Sequence, residues 1–202
     1  QAEAVLFGGG ALAALKPDAT VIVMATCAPG RIVAIAERVT ATGRSFIDAP
    51  VSGGVAGATG GTLTIMAAAP AAVFEHNKPL LSAMGSNLFH LGEQPGQGAA
   101  MKTVNQLLAG VHIAAAAEGL ALAEQAGIIP ALALEILSGS AASSWMLKHR
   151  GPRMVADDGQ VTSAVDIFVK DLGLVLDAGR AAKMGLPLAA AAHQQFIAAS
   201  GL

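Results

Sequence analysis

The chain has 202 residues, of which 53% are hydrophobic and 13% charged, so it can bury a large core and is not intrinsically disordered. Its formal net charge of -2, with lysines and arginines scattered along the chain, indicates no nucleic-acid partner. Cys27 is the only cysteine, which excludes an intrachain disulfide and is typical of cytoplasmic proteins.

The first half of the chain alternates between strand and helix patterns. Short apolar runs rich in β-branched residues predict strands at 19–26, 45–50, 60–68 and 86–91. Helical spacing of apolar residues predicts helices at 29–43 and 71–85. This alternation is typical of an α/β domain with a parallel sheet.

No strand pattern follows Gly98, and the second half is predicted to be all-helical. The predicted helices are at 99–126, 130–138, 142–150, 164–184 and 186–199. We therefore expect two domains, 1–97 and 98–202, joined by the first of these helices. Its apolar stretch contains His112 and Glu118 and is largely alanine, so no membrane span is predicted.

A glycine-rich segment, "GGVAGATGG", occupies residues 53–61 between two predicted strands. It matches neither G-x-G-x-x-G nor a P-loop, and no other segment does. One interpretation is a flexible turn, since glycine is common in turns. The other, which includes Asp48 and Ser52, is a nest of backbone N–H groups for a small anion such as a carboxylate.

Lys102, Asn105 and Gln106 are spaced at i, i+3 and i+4, so they share one face of the long helix. Such residues usually form a solvated stripe. The surrounding alanine, leucine and valine favour instead a lined cavity, in which a desolvated lysine can act as a general acid or base. His112, farther along the helix, is predicted to be a core histidine.

Lys170 and Asp171 interrupt an apolar helical segment, and Asp166 precedes Lys170 by four residues. This spacing predicts an ordinary surface ion pair between Asp166 and Lys170. No G-x-S-x-G motif is present, and the five histidines lack metal-ligand spacing, so no metal site is predicted.

Taken in order, these segments resemble the β-hydroxyacid dehydrogenases, the family that includes 3-hydroxyisobutyrate dehydrogenase and tartronate semialdehyde reductase. "FIDAPVSGGVAGATGGTLTIM" resembles the family's substrate-binding signature, and "GQGAAMKTVNQLLAG" resembles its catalytic-lysine helix. "VKDLGLVLDAG" is similar to its C-terminal cofactor-side helix, and "MATCAP" to its Ser-Thr-x-x-Pro turn. The resemblance implies the C-terminal part of a Rossmann-like sheet domain followed by a helical domain. The first part of the Rossmann domain would be missing.

The resemblance also implies roles for the residues on the substrate side. Lys102 would be the general acid/base, and the segment Ser52, Gly53 and Gly54 would hold the substrate carboxylate. Family members often carry an asparagine four residues after the lysine, where this chain has Gln106. Either Asn105 or Gln106 would therefore orient the substrate.

On the cofactor side, Thr26 would contact the nicotinamide nucleotide and Lys170 would close over the nicotinamide. The cofactor implied is NAD, with NADP left open. Within the family, the segments look most like the L-threonate dehydrogenases, so a small hydroxy acid such as this four-carbon sugar acid is the expected substrate. The alternatives are a 3-hydroxyisobutyrate or tartronate-semialdehyde enzyme, and a non-catalytic binding or oligomerisation module. A homo-oligomer, dimer or tetramer, is expected.

Overall fold

The computed structural model of the protein describes residues 1–156 and 163–201. They divide into two compact units, a first unit, Gln1–Val104, and a second unit, Asn105–Leu202. The division falls inside one long helix. The predicted domain boundary, between residues 97 and 98, lies in the first turn of that same helix and stays a prediction.

The first unit contains the strands. They are β1 (Thr20–Val23), β2 (Ser45–Asp48), β3 (Val51–Ser52), β4 (Thr64–Ala68) and β5 (Asn87–Gly92). Its helical elements are a short π-helix (Ala4–Gly8), α1 (Ala11–Ala14), α2 (Pro29–Thr40), α3 (Gly54–Thr59) and α4 (Ala71–Met84). Each predicted strand and helix of this half is present, which confirms the α/β class.

β2 and β3 act as one strand against β4. Asp48 lies opposite Ala68 and Ser52 lies opposite Thr64, and both pairs fit one antiparallel register. Between them Met66 N donates to Pro50 O at 3.0 Å, so the pairing continues through Pro50, which has no N–H of its own. β1 pairs with β2 and β4 with β5 in the parallel direction. The sheet is therefore mixed, whereas the sequence predicted a parallel one.

The antiparallel pair follows from the length of the connection between β3 and β4. A parallel crossover needs about a dozen residues or more, usually including a full helix. The connection here is residues 53–63, and its helix α3 has only 6 residues. The chain therefore returns beside the strand that it has just left.

Apolar side chains on the two faces of the sheet form separate cores. On one face, Phe46 packs with Ile32, Ile35 and Val39 of α2. On the other, Ile47 packs with a cluster that includes Phe74 and Leu81 of α4. Neighbouring residues of β2 thus point to opposite faces, as strand geometry requires. Asp48 shares the α2 face with Phe46.

α3 differs from the predicted flexible turn at 53–61, because part of this segment is helical. Gly53 and Gly54 have φ values of 131° and 60°, which side chains rarely adopt, and they redirect the chain into the helix. A Cβ at Gly57 would lie 3.2 Å from Leu63 Cδ2, so the helix packs closely on the start of the next strand. This packing outweighs the low helix propensity of glycine.

The remaining helices are α5 (Gln97–Gln125), α6 (Pro130–Gly139), α7 (Trp145–Ala156), α8 (Val165–Ala181) and α9 (Pro187–Ser200). In the second unit, Leu172 and Val175 of α8 pack with Ala189 and Ala192 of α9 and with Ala114.

α7 was predicted to end before Gly151 and Pro152 but continues through both. Gly151 is buried against α6, where a Cβ would lie 2.5 Å from Leu134 Cδ1, so close packing supports the helix at this point.

α5 is, within the described part of the chain, the one helix long and apolar enough to cross a membrane. Its most apolar window has a mean hydropathy of 1.4, and 39% of that window is buried. The core helix of a globular protein can have the same length and composition.

Candidate functional site

The N-terminus of α5 is held by a buried carboxylate from β2. Asp48 is 0% exposed, and its Oδ2 accepts hydrogen bonds from Gly96 N at 3.0 Å and from Ala99 N at 2.9 Å. The first N–H groups of a helix have no partner within the helix, so this oxygen supplies one. Burial raises the pKa of Asp48 above its usual range, while the backbone N–H groups of Ala99, Gly96 and Gly98 act in the opposite direction.

Gly98 allows α5 to approach the sheet this closely. A Cβ at this position would lie 2.5 Å from Met66 O and 2.8 Å from Asp48 O, both of which are backbone atoms. Any other residue would push the first turn of α5 away from β2 and β4. The glycine and the carboxylate together fix where the helix begins.

Lys102 lies three residues after Ala99 on α5 and is only 7% exposed. Gln106 is exposed to the same small extent, and Asn105 is half-buried. The interpretation of these three residues as a solvated stripe is therefore wrong. Lysine is seldom buried, and a desolvated lysine can act as a general acid or base, so Lys102 is the candidate proton carrier.

The segment Ser52, Gly53 and Gly54 lies in the first unit, as Lys102 does, at the junction of β3 and α3. Ser52 is half-buried and Gly54 is exposed. Gly53 and Gly54 have no side chains, so the backbone next to the Ser52 hydroxyl is bare. Such a stretch suits a carboxylate, which accepts short hydrogen bonds from N–H and O–H donors.

In the second unit, a chain of polar contacts joins α5 to α8. Asn105 Nδ2 donates to Gln106 Oε1 at 2.9 Å, and Gln106 Nε2 donates to Asp171 Oδ2 at 2.5 Å. Lys170 Nζ lies 2.7 Å from Asp171 Oδ1 and forms an ion pair with it. The structure therefore brings Asn105, Gln106 and Lys170 together through a residue that the sequence analysis gave no functional role.

Asp171 is 2% exposed, so it is not part of a surface ion pair. Its burial has a sequence signal that was missed. Phe168, Leu172 and Val175 are buried on α8, and a residue three after Phe168 falls on the same face. Asp166, the predicted partner of Lys170, is exposed and accepts a hydrogen bond from Ser200.

Thr26 is half-buried in the turn between β1 and α2, and Pro29 occupies the first position of α2. Nucleotides bind α/β sheets at the carboxyl ends of parallel strands, near such turns. β1 and β2 are parallel and end at this edge, so Thr26 lies at the edge of the sheet where such ligands bind.

His112 is exposed, and its prediction as a core histidine is wrong. The buried face of this part of α5 is formed by Ala109, Ile113, Ala116 and Leu120, and His112 lies beside that face. It lines a cavity of about 290 Å³ together with Ser143, Ser144 and other residues of the second unit.

Comparisons with known proteins agree with these features. Residues 1–92 match the family model described as the NAD binding domain of 6-phosphogluconate dehydrogenase. Residues 96–201 match the model described as NAD-binding of NADP-dependent 3-hydroxyisobutyrate dehydrogenase. The chain is 47% identical to L-threonate dehydrogenase from Cupriavidus necator, over 99% of this chain and 68% of that protein. It is 36% identical to 2-hydroxy-3-oxopropionate reductase from Escherichia coli K12, over 97% of this chain and 67% of that protein.

A solved structure shows the same fold over the whole chain. The crystal structure of 3-hydroxyisobutyrate dehydrogenase from Salmonella typhimurium superimposes with a TM-score of 0.94 at 43% identity, and the match covers 100% of this chain and 70% of that one. The Mycobacterium tuberculosis 3-hydroxyisobutyrate dehydrogenase with L-serine gives a TM-score of 0.81 at 27% identity, covering 94% and 67%. The chain thus spans about two thirds of the length of these proteins.

Proposed function

Because the chain belongs to the 3-hydroxyisobutyrate dehydrogenase family of NAD(P)-dependent oxidoreductases, we propose that it catalyses hydride transfer between NAD and a four-carbon sugar acid such as L-threonate. The observation that carries this proposal is the buried Lys102 on α5, in the same unit as the bare backbone after Ser52. The 47% identity to an L-threonate dehydrogenase supports the choice of substrate.

In the proposed reaction one lysine, Lys102, is enough to carry the proton. NAD, when bound, would supply the acceptor for a hydride from the carbon that bears the substrate hydroxyl. Lys102 in its neutral form takes the hydroxyl proton, which leaves a carbonyl product and a protonated lysine. In the reverse direction the protonated lysine returns the proton to the forming alkoxide.

The other residues would bind and orient the reactants. Ser52 and the backbone N–H groups of Gly53 and Gly54 would hold the substrate carboxylate. Thr26 would contact the cofactor from the β1–α2 turn. Asn105 would orient the substrate, because both ends of the Gln106 amide are already occupied by Asn105 and Asp171.

Lys170 would lie on the nicotinamide side, and its ion pair with Asp171 would hold it there.

We propose residues 1–97 as a cofactor domain and residues 98–202 as a helical domain that carries the lysine helix. We also propose that the assembled enzyme is a cytoplasmic homo-oligomer.

A substrate panel tests the proposal. The intact enzyme should reduce NAD with L-threonate at a kcat/KM at least about tenfold above that with 3-hydroxyisobutyrate, because one misplaced or missing polar group commonly costs that factor. Replacing NAD by NADP in the same assay decides the cofactor. A preference for 3-hydroxyisobutyrate would favour the activity named for the Salmonella typhimurium structure. The absence of activity on every hydroxy acid would favour a non-catalytic module.

Lys102→Ala tests the assigned chemistry in the same assay. We expect kcat to fall by about a hundredfold or more, the usual contribution of general acid–base catalysis. Lys16→Ala, which removes an exposed lysine before β1, is the matched control and should leave kcat unchanged. A loss below about tenfold for Lys102→Ala would exclude it as the proton carrier.

A further inference from the structure

We propose that Asp48 is a positioning residue for Lys102: it fixes the start of α5 against β2 and so places the lysine for proton transfer. The inference rests on the proposed function of Lys102. It concerns a carboxylate that touches neither substrate nor cofactor in the proposed mechanism and acts only through the helix that it holds.

The contacts of Asp48 connect two parts of the chain that are distant in sequence. Its Oδ2 accepts from Gly96 N and Ala99 N at 3.0 and 2.9 Å, and the side chain is fully buried. An oxygen of this kind accepts hydrogen bonds whether the carboxyl is ionised or protonated.

Lys102 follows Ala99 by three residues, which is less than one helical turn. Within an α-helix the backbone between these positions is rigid, so a shift of Ala99 becomes a shift of the lysine. A displacement of about 1 Å can cost a reaction a factor of about a hundred when it misplaces a catalytic group.

Gly98 allows the contact between the start of α5 and β2 to be disturbed in a second, independent way. A Cβ there would lie 2.5 Å from Met66 O and 3.0 Å from Asp48 Cγ, so Gly98→Ala would move the start of α5 without removing the carboxylate. On the same helix, Gly119 has no described atom within 4 Å of an added Cβ, apart from the neighbouring helix backbone. Gly119→Ala is therefore the matched control.

The test is a double-mutant cycle in the intact enzyme with L-threonate and NAD. Asp48→Ala should lower kcat by about tenfold or more and change KM by less than about threefold, because it disturbs proton transfer and not substrate binding. In a Lys102→Ala background the same substitution should cost less than about twofold, since no proton carrier remains to be misplaced.

Rescue and controls complete the test. Asp48→Asn keeps an acceptor oxygen for the two N–H groups and should retain most of kcat. Gly98→Ala should reproduce the kcat loss, which keeps the proposal testable if Asp48→Ala does not fold. Asp18→Asn, at an exposed carboxylate, and Gly119→Ala should both match the unmodified enzyme.

Equal losses for Asp48→Ala in both backgrounds, or a loss confined to KM, would overturn the proposal and leave Asp48 a structural residue. If Lys102→Ala alone costs less than about tenfold, the proposed function of Lys102 fails first, and the role of Asp48 fails with it.

Discussion

Buried polar side chains carry most of the functional information at the scale of single residues. Among the residues that the structure describes, Asp48, Lys102, Gln106 and Asp171 are buried in a chain whose interior is otherwise apolar. Burying such groups costs free energy unless hydrogen bonds or ion pairs compensate for the lost water. Asp48 has two backbone donors, and Asp171 has an amide and a lysine. Asp48 thus holds α5 just before Lys102, and Asp171 contacts the same helix at Gln106.

Ser52→Ala should raise KM for L-threonate by about tenfold or more and leave kcat within about threefold. A hydrogen bond to a charged group contributes roughly 1.5–3 kcal/mol, and the proposed carboxylate contact is lost on binding and in the transition state alike. Steady-state kinetics with L-threonate and its neutral amide analogue would measure this.

The neutral analogue should be almost unaffected by Ser52→Ala, because it has no carboxylate to lose a donor. Ser82→Ala, at an exposed serine of α4, serves as the control. Equal losses on the acid and the amide would show that Ser52 maintains the loop and does not bind the ligand.

Asp48 should make stability depend on pH in an unusual direction for a carboxyl group. Burial raises its pKa above the ordinary value of 3.8, so the folded chain keeps a proton that the unfolded chain has lost. Between the unfolded and the folded pKa the folded state binds more protons, and the free energy of unfolding decreases as pH rises. At pH values below 3.8 the carboxyl group is protonated in both states, so its full contribution to the free energy of unfolding is present. At pH values above the folded pKa that contribution has been lost.

Urea unfolding of the unmodified protein and of Asp48→Asn, followed by circular dichroism from about pH 4 to pH 7, measures the effect. The free energy of unfolding of the unmodified protein minus that of the variant should decrease over this range. The contributions of the other carboxylates are the same in both proteins and cancel in this difference. An increase with pH would mean that the backbone donors outweigh burial at this site.

At the scale of elements, periodicity was enough to find β1, β2, β4, β5 and the long helix, because apolar spacing directly reflects which face is buried. The two-residue strand β3 was too short for such a pattern. It was not enough for α3, whose glycines have low helix propensity and which depends on the contact of Gly57 with Leu63. The same holds for Asp171, whose importance depends on Gln106 from another helix. Contacts between residues far apart in sequence leave no local pattern.

Gly110→Ala should destabilise the second unit relative to Gly119→Ala by about 1–3 kcal/mol, the usual cost of overpacking. Both substitutions gain helix propensity on α5. A Cβ at Gly110, however, would lie 2.8 Å from Cδ2 of the fully buried Leu172. Urea unfolding followed by Trp145 fluorescence reports on this unit. Equal stability of the two variants would show that Leu172 can move aside at no cost.

At the scale of the whole molecule, self-association remains a prediction from composition, and the second unit offers a surface for it. Leu132 and Ile136 are 48% and 58% exposed and lie four residues apart on α6, so they share one face. Ile129, just before this helix, is 68% exposed. Apolar surface of this kind commonly marks an interface.

Sedimentation equilibrium should therefore give a mass that is a multiple of the chain mass. The double substitution Leu132→Lys and Ile136→Lys should shift the mass toward the monomer, because two charges would be buried in the interface. Glu75→Lys, at an exposed position of α4 in the first unit, is the control and should leave the mass unchanged. A monomeric unmodified protein would contradict the prediction.

The continuous pairing of β2 and β3 with β4 makes this part of the chain sensitive to changes in length. Asp48 and Ser52 are four positions apart along one register, so their side chains leave the sheet on the same face. Inserting one residue at Ala49 or Pro50 would turn Ser52 to the opposite face while Asp48 stayed under α5. An insertion in the exposed loop at 41–43 would leave both side chains in place. Natural length variation among functional relatives should consequently be tolerated there and absent between Asp48 and Ser52.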